Sequence, residues 1–149
     1  MRMVFKIDID RPASTVWKYV NDPESFQEWN DKIESMDVRG EFRVGEPFKT
    51  SYKWRDTVTQ CLSVVTQLSD ERLLELRHSD FIGVDVDPHM VAIERIVLNE
   101  GKGRTRVTKI LSVKNHGVPL IFVPLLWFVS RFGKPKDPDP LKLMCEAGH

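Results

Sequence analysis

The chain has 149 residues, 41% of them hydrophobic, and its 22 basic side chains are matched by 22 acidic ones. That length suits one core and is short for two, so a single domain over residues 1–149 is expected. With no net charge, and with Lys and Arg scattered along the whole chain, there is no general pull toward nucleic acid or an anionic bilayer.

Met3, Phe5, Ile7 and Ile9 share one face of an extended segment while Arg2, Lys6, Asp8 and Asp10 take the other, which predicts a half-buried strand. This N-terminus lacks the apolar core and cleavage site of a signal peptide, and the expected location is cytoplasmic. Cys61 and Cys145 fall in no metal or redox spacing and read as reduced thiols, which agrees with that compartment. In "DRPASTVWKYVND" Pro12 suits a first helical position with Asp10 nearby as a cap, and Val16, Trp17, Tyr19 and Val20 supply an apolar face. "DPESFQEWN" repeats the start signal, with Asp22 as cap, Pro23 opening the turn, and Phe26 and Trp29 three apart. Two short helices are expected, at about residues 12 to 20 and 23 to 30.

From Ile33 to Val113, Gly, Pro, Asp and Asn separate β-rich runs, the mark of an antiparallel meander. Its expected strands are 33 to 38, 47 to 55, 57 to 68, 72 to 79, 89 to 99 and 104 to 114. Phe48, Thr50, Tyr52 and Trp54 alternate with Lys49, Ser51, Lys53 and Arg55, and parity with Leu74 and Leu76 carries His78 inward. In the last hairpin a tip at Gly101 and Lys102 would set Ile96 opposite Val107 and Glu94 opposite Lys109. An opposite-charge pair is thus expected on an otherwise apolar face.

After Gly117 helical spacing returns: Ile121 and Phe122, Leu125, Phe128 and Val129, then Phe132, with Pro124 predicted to kink the helix or restart it. The apolar run from Val118 to Val129 would extend only ~18 Å as a helix, too short for roughly 30 Å of hydrocarbon. "GKPKDPDP" cannot be helical, and "LKLMCEAG" is expected to form a short closing helix.

"IDIDRPASTVWKYVNDPESFQEWN", "VGEPFK", "GKGRTRVT" and "LKLMCEAG" together resemble the START-related superfamily, which includes polyketide cyclase and dehydrase proteins and pollen-allergen-like carriers. The resemblance covers essentially the whole chain. It implies an α+β helix-grip fold: a curved antiparallel sheet of about seven strands, two short helices after strand 1, and a C-terminal helix packed across the sheet. It also implies an apolar cavity, between sheet and helix, for a lipid, polyketide-like or aromatic molecule. Lys109 stands where the family often has an apolar residue, and the prolines from 135 to 140 interrupt its long helix.

The expected inward polar groups are Thr50, Tyr52, Gln60, His78, Glu94 and Lys109. Burying so many without partners would cost several kcal/mol each, so they pair with one another or line a wet pocket. Glu94 and Lys109 either satisfy one another or orient a ligand's polar end, and one of them could serve as acid or base. His78 is the best placed for proton transfer, unless it is a structural histidine. Trp29, Tyr52, Trp54 and Trp127 fill the core or stack on a planar ligand, and Phe122 joins Trp127 as lining. "DFIGVDVDPH" lacks the glycine and terminal Glu of a calcium loop and reads as a solvated turn. No metal or cofactor is expected, and with no G-x-S-x-G elbow, H-E-x-x-H pair or P-loop, nucleophilic and metal-dependent catalysis are not expected either. Three functions remain open. They are a carrier of a hydrophobic small molecule, a cyclase or dehydrase type of enzyme, and a protein-interaction or lipid-carrier module whose membrane contact is transient.

Overall fold

The first strand, β1 (Arg2–Ile9), shows the expected alternation, its exposure rising and falling residue by residue until Ile9 is fully buried. This computed structural model describes residues 2–30, 32–54, 56–83, 86–115 and 139–147, with backbone alone at Trp54 and Asn115. After β1 come α1 (Ala13–Val20) and α2 (Pro23–Trp29), then β2 (Ile33–Met36), β3 (Pro47–Trp54), β4 (Thr57–Ser69), β5 (Leu73–Ile82), β6 (Met90–Gly101), β7 (Arg104–Asn115) and α3 (Pro140–Ala147). The strands form one curved antiparallel sheet in the order β1-β7-β6-β5-β4-β3-β2, which is the helix-grip arrangement. The expected kinked helix and its residues Phe122, Pro124 and Trp127 lie outside the described residues.

Local chemistry explains where the helices begin. Asp22 accepts hydrogen bonds from the Ser25 amide at 3.1 Å and the Ser25 hydroxyl at 2.7 Å, capping α2 as expected. Asp10 does not cap α1. Its amide is tied to Glu146 and its carboxylate lies 3.5 Å from Arg104, while Pro12 takes the N-cap position without a side-chain bond. The Ala13 amide instead donates to Glu100 Oε1 at 2.6 Å, so the end of a distant strand caps the helix. Trp29 Nε1 donates to the Tyr19 carbonyl at 3.0 Å and locks α2 to α1.

Two bulges decide which side chains face the helices. Leu68 pairs with Leu74 and packs on the core, but the register slips between Val65 and Gln67, and beyond Thr66 the inward set becomes Val65, Ser63, Cys61 and Thr59. A second slip, at Asp80 with φ 53°, turns Phe81 inward. The hairpin between β6 and β7 closes at Lys102 and Gly103, both with positive φ, as a type I′ turn requires. That tip lies one residue beyond the expected one and moves the register by two. Side chains keep their faces, but Glu94 now opposes Leu111, and Lys109 opposes Ile96.

The buried face divides into two apolar clusters. The larger joins Val65, Leu74, Leu76, Ile96 and Val107 to α1, α2, and the Leu141 and Cys145 face of α3. The smaller holds Tyr52, Cys61, Phe81, Met90, Ala92, Leu111 and Val113. Each fully buried aliphatic side chain there contributes ~2 kcal/mol. α3 is held by polar ties to β1 and to the link after it, with Lys142 donating to the Asp8 carbonyl and Arg11 to the Glu146 carbonyl, both at 2.6 Å.

Candidate functional site

A chain of polar side chains crosses the buried face of the sheet, strand by strand. Thr50 on β3 lies 2.8 Å from Ser63 on β4, Ser63 Oγ lies 2.8 Å from His78 Nδ1 on β5, and His78 Nε2 lies 3.0 Å from Glu94 Oε1 on β6. Thr50 and Ser63 are fully buried and the His78 side chain is 1% exposed, whereas the Glu94 side chain keeps 14%. Glu94 is therefore the accessible end of the chain. Cys61 Sγ joins from the side, 3.9 Å from His78 Nδ1 and 3.7 Å from Ser63 Oγ. The Tyr52 ring meets the imidazole edge to face at 6.3 Å between centroids.

Burial disfavours a charged imidazole, but the Cys61 and Glu94 partners outweigh it and raise the His78 pKa to about 9. At neutral pH both ring nitrogens then carry protons. His78 donates to Glu94 on one side and to Ser63 on the other, leaving the Ser63 hydroxyl to donate to Thr50. Burial, reinforced by Cys61 and Glu94, pushes the Tyr52 phenol well above its ordinary value and keeps it protonated. A cation, a protonated phenol and a carboxylate thus meet on one apolar face.

Lys109 faces the same side but serves a different contact. Its Nζ lies 3.2 Å from Asp139 Oδ2 and 4.7 Å from the centroid of the Trp29 ring. Asp139 also accepts from the Leu141 amide at 2.8 Å, so one carboxylate caps α3 and holds the lysine. The expected Glu94–Lys109 pair is replaced by two pairs because the hairpin turn shifted the register.

Of the residues singled out in the sequence, Thr50, Tyr52, His78 and Glu94 come together, and Trp29 and Lys109 meet nearby. Gln60 does not: it is exposed on the outer face, because the bulge at Thr66 reverses the parity of the rest of β4. Trp54 lies on β3 with its side chain undescribed, and Phe122 and Trp127 lie outside the described residues. Sequence reasoning missed Ser63, Cys61 and Thr59, the small polar residues on the true inner parity of β4. The one available signal was "TQCLS", where the small residues Thr59, Cys61 and Ser63 alternate with the larger Gln60 and Leu62 inside a β-rich run. Among the described residues no three His, Cys, Asp or Glu side chains lie together as metal ligands, and no helix is long and apolar enough to cross a membrane.

Several solved structures share this architecture. A Mesorhizobium loti protein superposes with a TM-score of 0.73 at 15% identity, covering 100% of this chain and 99% of its own. A Nitrosomonas europaea protein gives 0.69 at 18%, covering 99% and 95%. DynU16, a protein in the dynemicin biosynthetic locus, gives 0.66 at 19%, covering 99% of this chain and 48% of that one. At such identities the likeness is one of fold alone. No curated protein matches the chain. The family profile described as "Polyketide cyclase / dehydrase and lipid transport" matches residues 2–122. With most of the chain matched and the helix-grip sheet in place, the chain belongs to the polyketide cyclase/dehydrase and lipid transport family of the START-related superfamily.

Proposed function

We propose that the chain binds a small hydrophobic molecule, lipid, polyketide-like or aromatic, on the concave face of the sheet, with its polar end at Glu94. The supporting observation is the polar chain from Thr50 to Glu94, which lies between two apolar clusters and keeps exposure only at the carboxylate. Tyr52 and His78 flank that carboxylate, and Trp29 with Lys109 stands on the same face. With His78 donating to one Glu94 oxygen, the carboxylate is an acceptor for a ligand hydroxyl or amine. The setting we infer is cytoplasmic, with a hydrophobic small molecule as partner, no nucleic acid, and membrane contact no more than transient.

The binding of 2-naphthol and naphthalene, followed by ligand fluorescence, tests this reading. A hydrogen bond to a charged acceptor is worth about 1.5–3 kcal/mol, so 2-naphthol should bind at least ~10-fold more tightly, and Glu94→Gln should remove most of that advantage. Equal affinities in the unaltered protein would refute the role of Glu94. A second reading, a cyclase or dehydrase type of enzyme, is favoured by the protonated phenol and imidazolium side by side, which would stabilise an enolising carbonyl. Turnover of a polyketide-like substrate that disappears in Tyr52→Phe without loss of binding would select it.

A further inference from the structure

Cys61 has a nucleophile's neighbours. Its sulfur lies 3.9 Å from His78 Nδ1, and the other ring nitrogen is held by Glu94 at 3.0 Å, so an imidazolium and its orienting carboxylate stand in order behind the thiol. We propose that Cys61 is a nucleophilic thiol which adds to electrophiles of the α,β-unsaturated carbonyl class bound on the concave face, with His78 beside the sulfur and Glu94 as the positioning residue. This rests on the ligand face proposed above and names a chemical class for its occupant.

Ser63 is nearer the ring, at 2.8 Å, yet chemistry selects the sulfur. A serine hydroxyl needs a neutral imidazole to take its proton, and His78, with its pKa raised to about 9, is already protonated. A cysteine instead works beside an imidazolium. In the addition the sulfur gives its proton up to solvent and bonds to the β-carbon, the carbon–carbon π pair moves to the α-carbon, and that carbon takes a proton from the His78 imidazolium, which regains one from solvent by way of Glu94. Nothing leaves, and no oxidant or reductant is needed.

A second, independent observation points to the carbonyl end. Thr59 is fully buried on the same face of β4, two residues from Cys61, and its Oγ1 has no hydrogen-bond partner. Side chains at i and i+2 lie roughly 6.6 Å apart, a span that a conjugated enone bridges. The orphan hydroxyl would thus donate to the carbonyl oxygen while the β-carbon meets the sulfur. Such a donor offsets the cost of burying an unsatisfied hydroxyl once the ligand is bound.

Cys145 serves as an internal control. It is also buried, and burial, with Glu146 and Asp139 nearby, pushes its thiol up to about 12. The native full chain is treated with methyl vinyl ketone or iodoacetamide and mapped by peptide mass spectrometry. One adduct is expected, on Cys61, with Cys145 unlabelled. The rate should fall at least ~10-fold in His78→Gln, and severalfold in the more conservative Glu94→Gln, whose urea midpoint verifies folding. Thr59→Val should slow addition of methyl vinyl ketone but not of iodoacetamide, which has no conjugated carbonyl to activate. Labelling of Cys145 first, or of neither thiol until denaturant is added, overturns the proposal. Saturating 2-naphthol should protect Cys61; a labelled Cys61 in a protein that binds no 2-naphthol upholds the thiol and overturns only the ligand reading.

Discussion

His78 and Glu94 meet 3.0 Å apart with the cationic side chain 1% and the carboxylate 14% exposed, while Lys109 and Asp139 meet at 3.2 Å with 22% and 11% exposed. The first pair joins neighbouring strands of one sheet and belongs to a hydrogen-bonded chain across four strands. The second ties β7 to the start of α3 and lays its ammonium over Trp29. One face of one sheet therefore holds a cation for two purposes. Where the cation is sealed in, its charge depends wholly on its neighbours and becomes adjustable chemistry. Where water still reaches it, the ion pair works as a fastening.

Breaking the pairs one at a time separates these roles. Glu94→Leu leaves a buried imidazolium without its counter-charge and should lower stability by about 3 kcal/mol at pH 7, read from the urea midpoint. The same pair carries a pH signature. The folded pKa of His78, about 9, lies above the ordinary histidine value near 6.5, so its stabilisation is complete below about 6.5 and is lost as pH rises through 9. His78→Gln should flatten that decline between pH 6.5 and 10. Asp139→Ala removes a helix cap and a lysine partner together and should cost about 1–2 kcal/mol, without the pH signature. Gln60→Ala, on the outer face, should change stability by less than ~0.5 kcal/mol and leave 2-naphthol binding untouched.

How much of this was legible in the sequence depended on whether a local rule stayed valid along each element. On β3 the alternation of Phe48, Thr50 and Tyr52 with lysines and Ser51 has no bulge within it, and the inward face came out directly. The Asp22–Pro23 start of α2 is chemistry contained in four residues, and it held. On β4 the parity anchored at Leu68 was sound as far as Thr66, but a bulge is a backbone event stabilised by the partner strand, and it exchanged Gln60 for Thr59, Cys61 and Ser63. In the last hairpin, two glycines flanking Lys102 allowed two tips. The positive φ accepted by Lys102 decided between them and broke the expected Glu94–Lys109 pair. Asp139 could not have been named as the lysine's partner, because nothing local in the sequence brings residue 139 beside residue 109. The pocket-lining roles of Phe122 and Trp127 concern residues outside those described.

The bond from the Ala13 amide to Glu100, and the pairing of β1 with β7, join the start of the chain to residues about a hundred positions later. A chain emerging from the ribosome therefore offers β1 and α1 long before their partners exist. The meander from β2 to β6 can assemble by local hairpins, but the sheet closes only when β7 arrives to lie between β6 and β1. Loop closure over that distance is slow, and it is the step we expect to limit the rate of refolding. Until then β7, paired with β6 through their tight turn, presents a bare edge, so aggregation during refolding is decided in the interval before β1 docks.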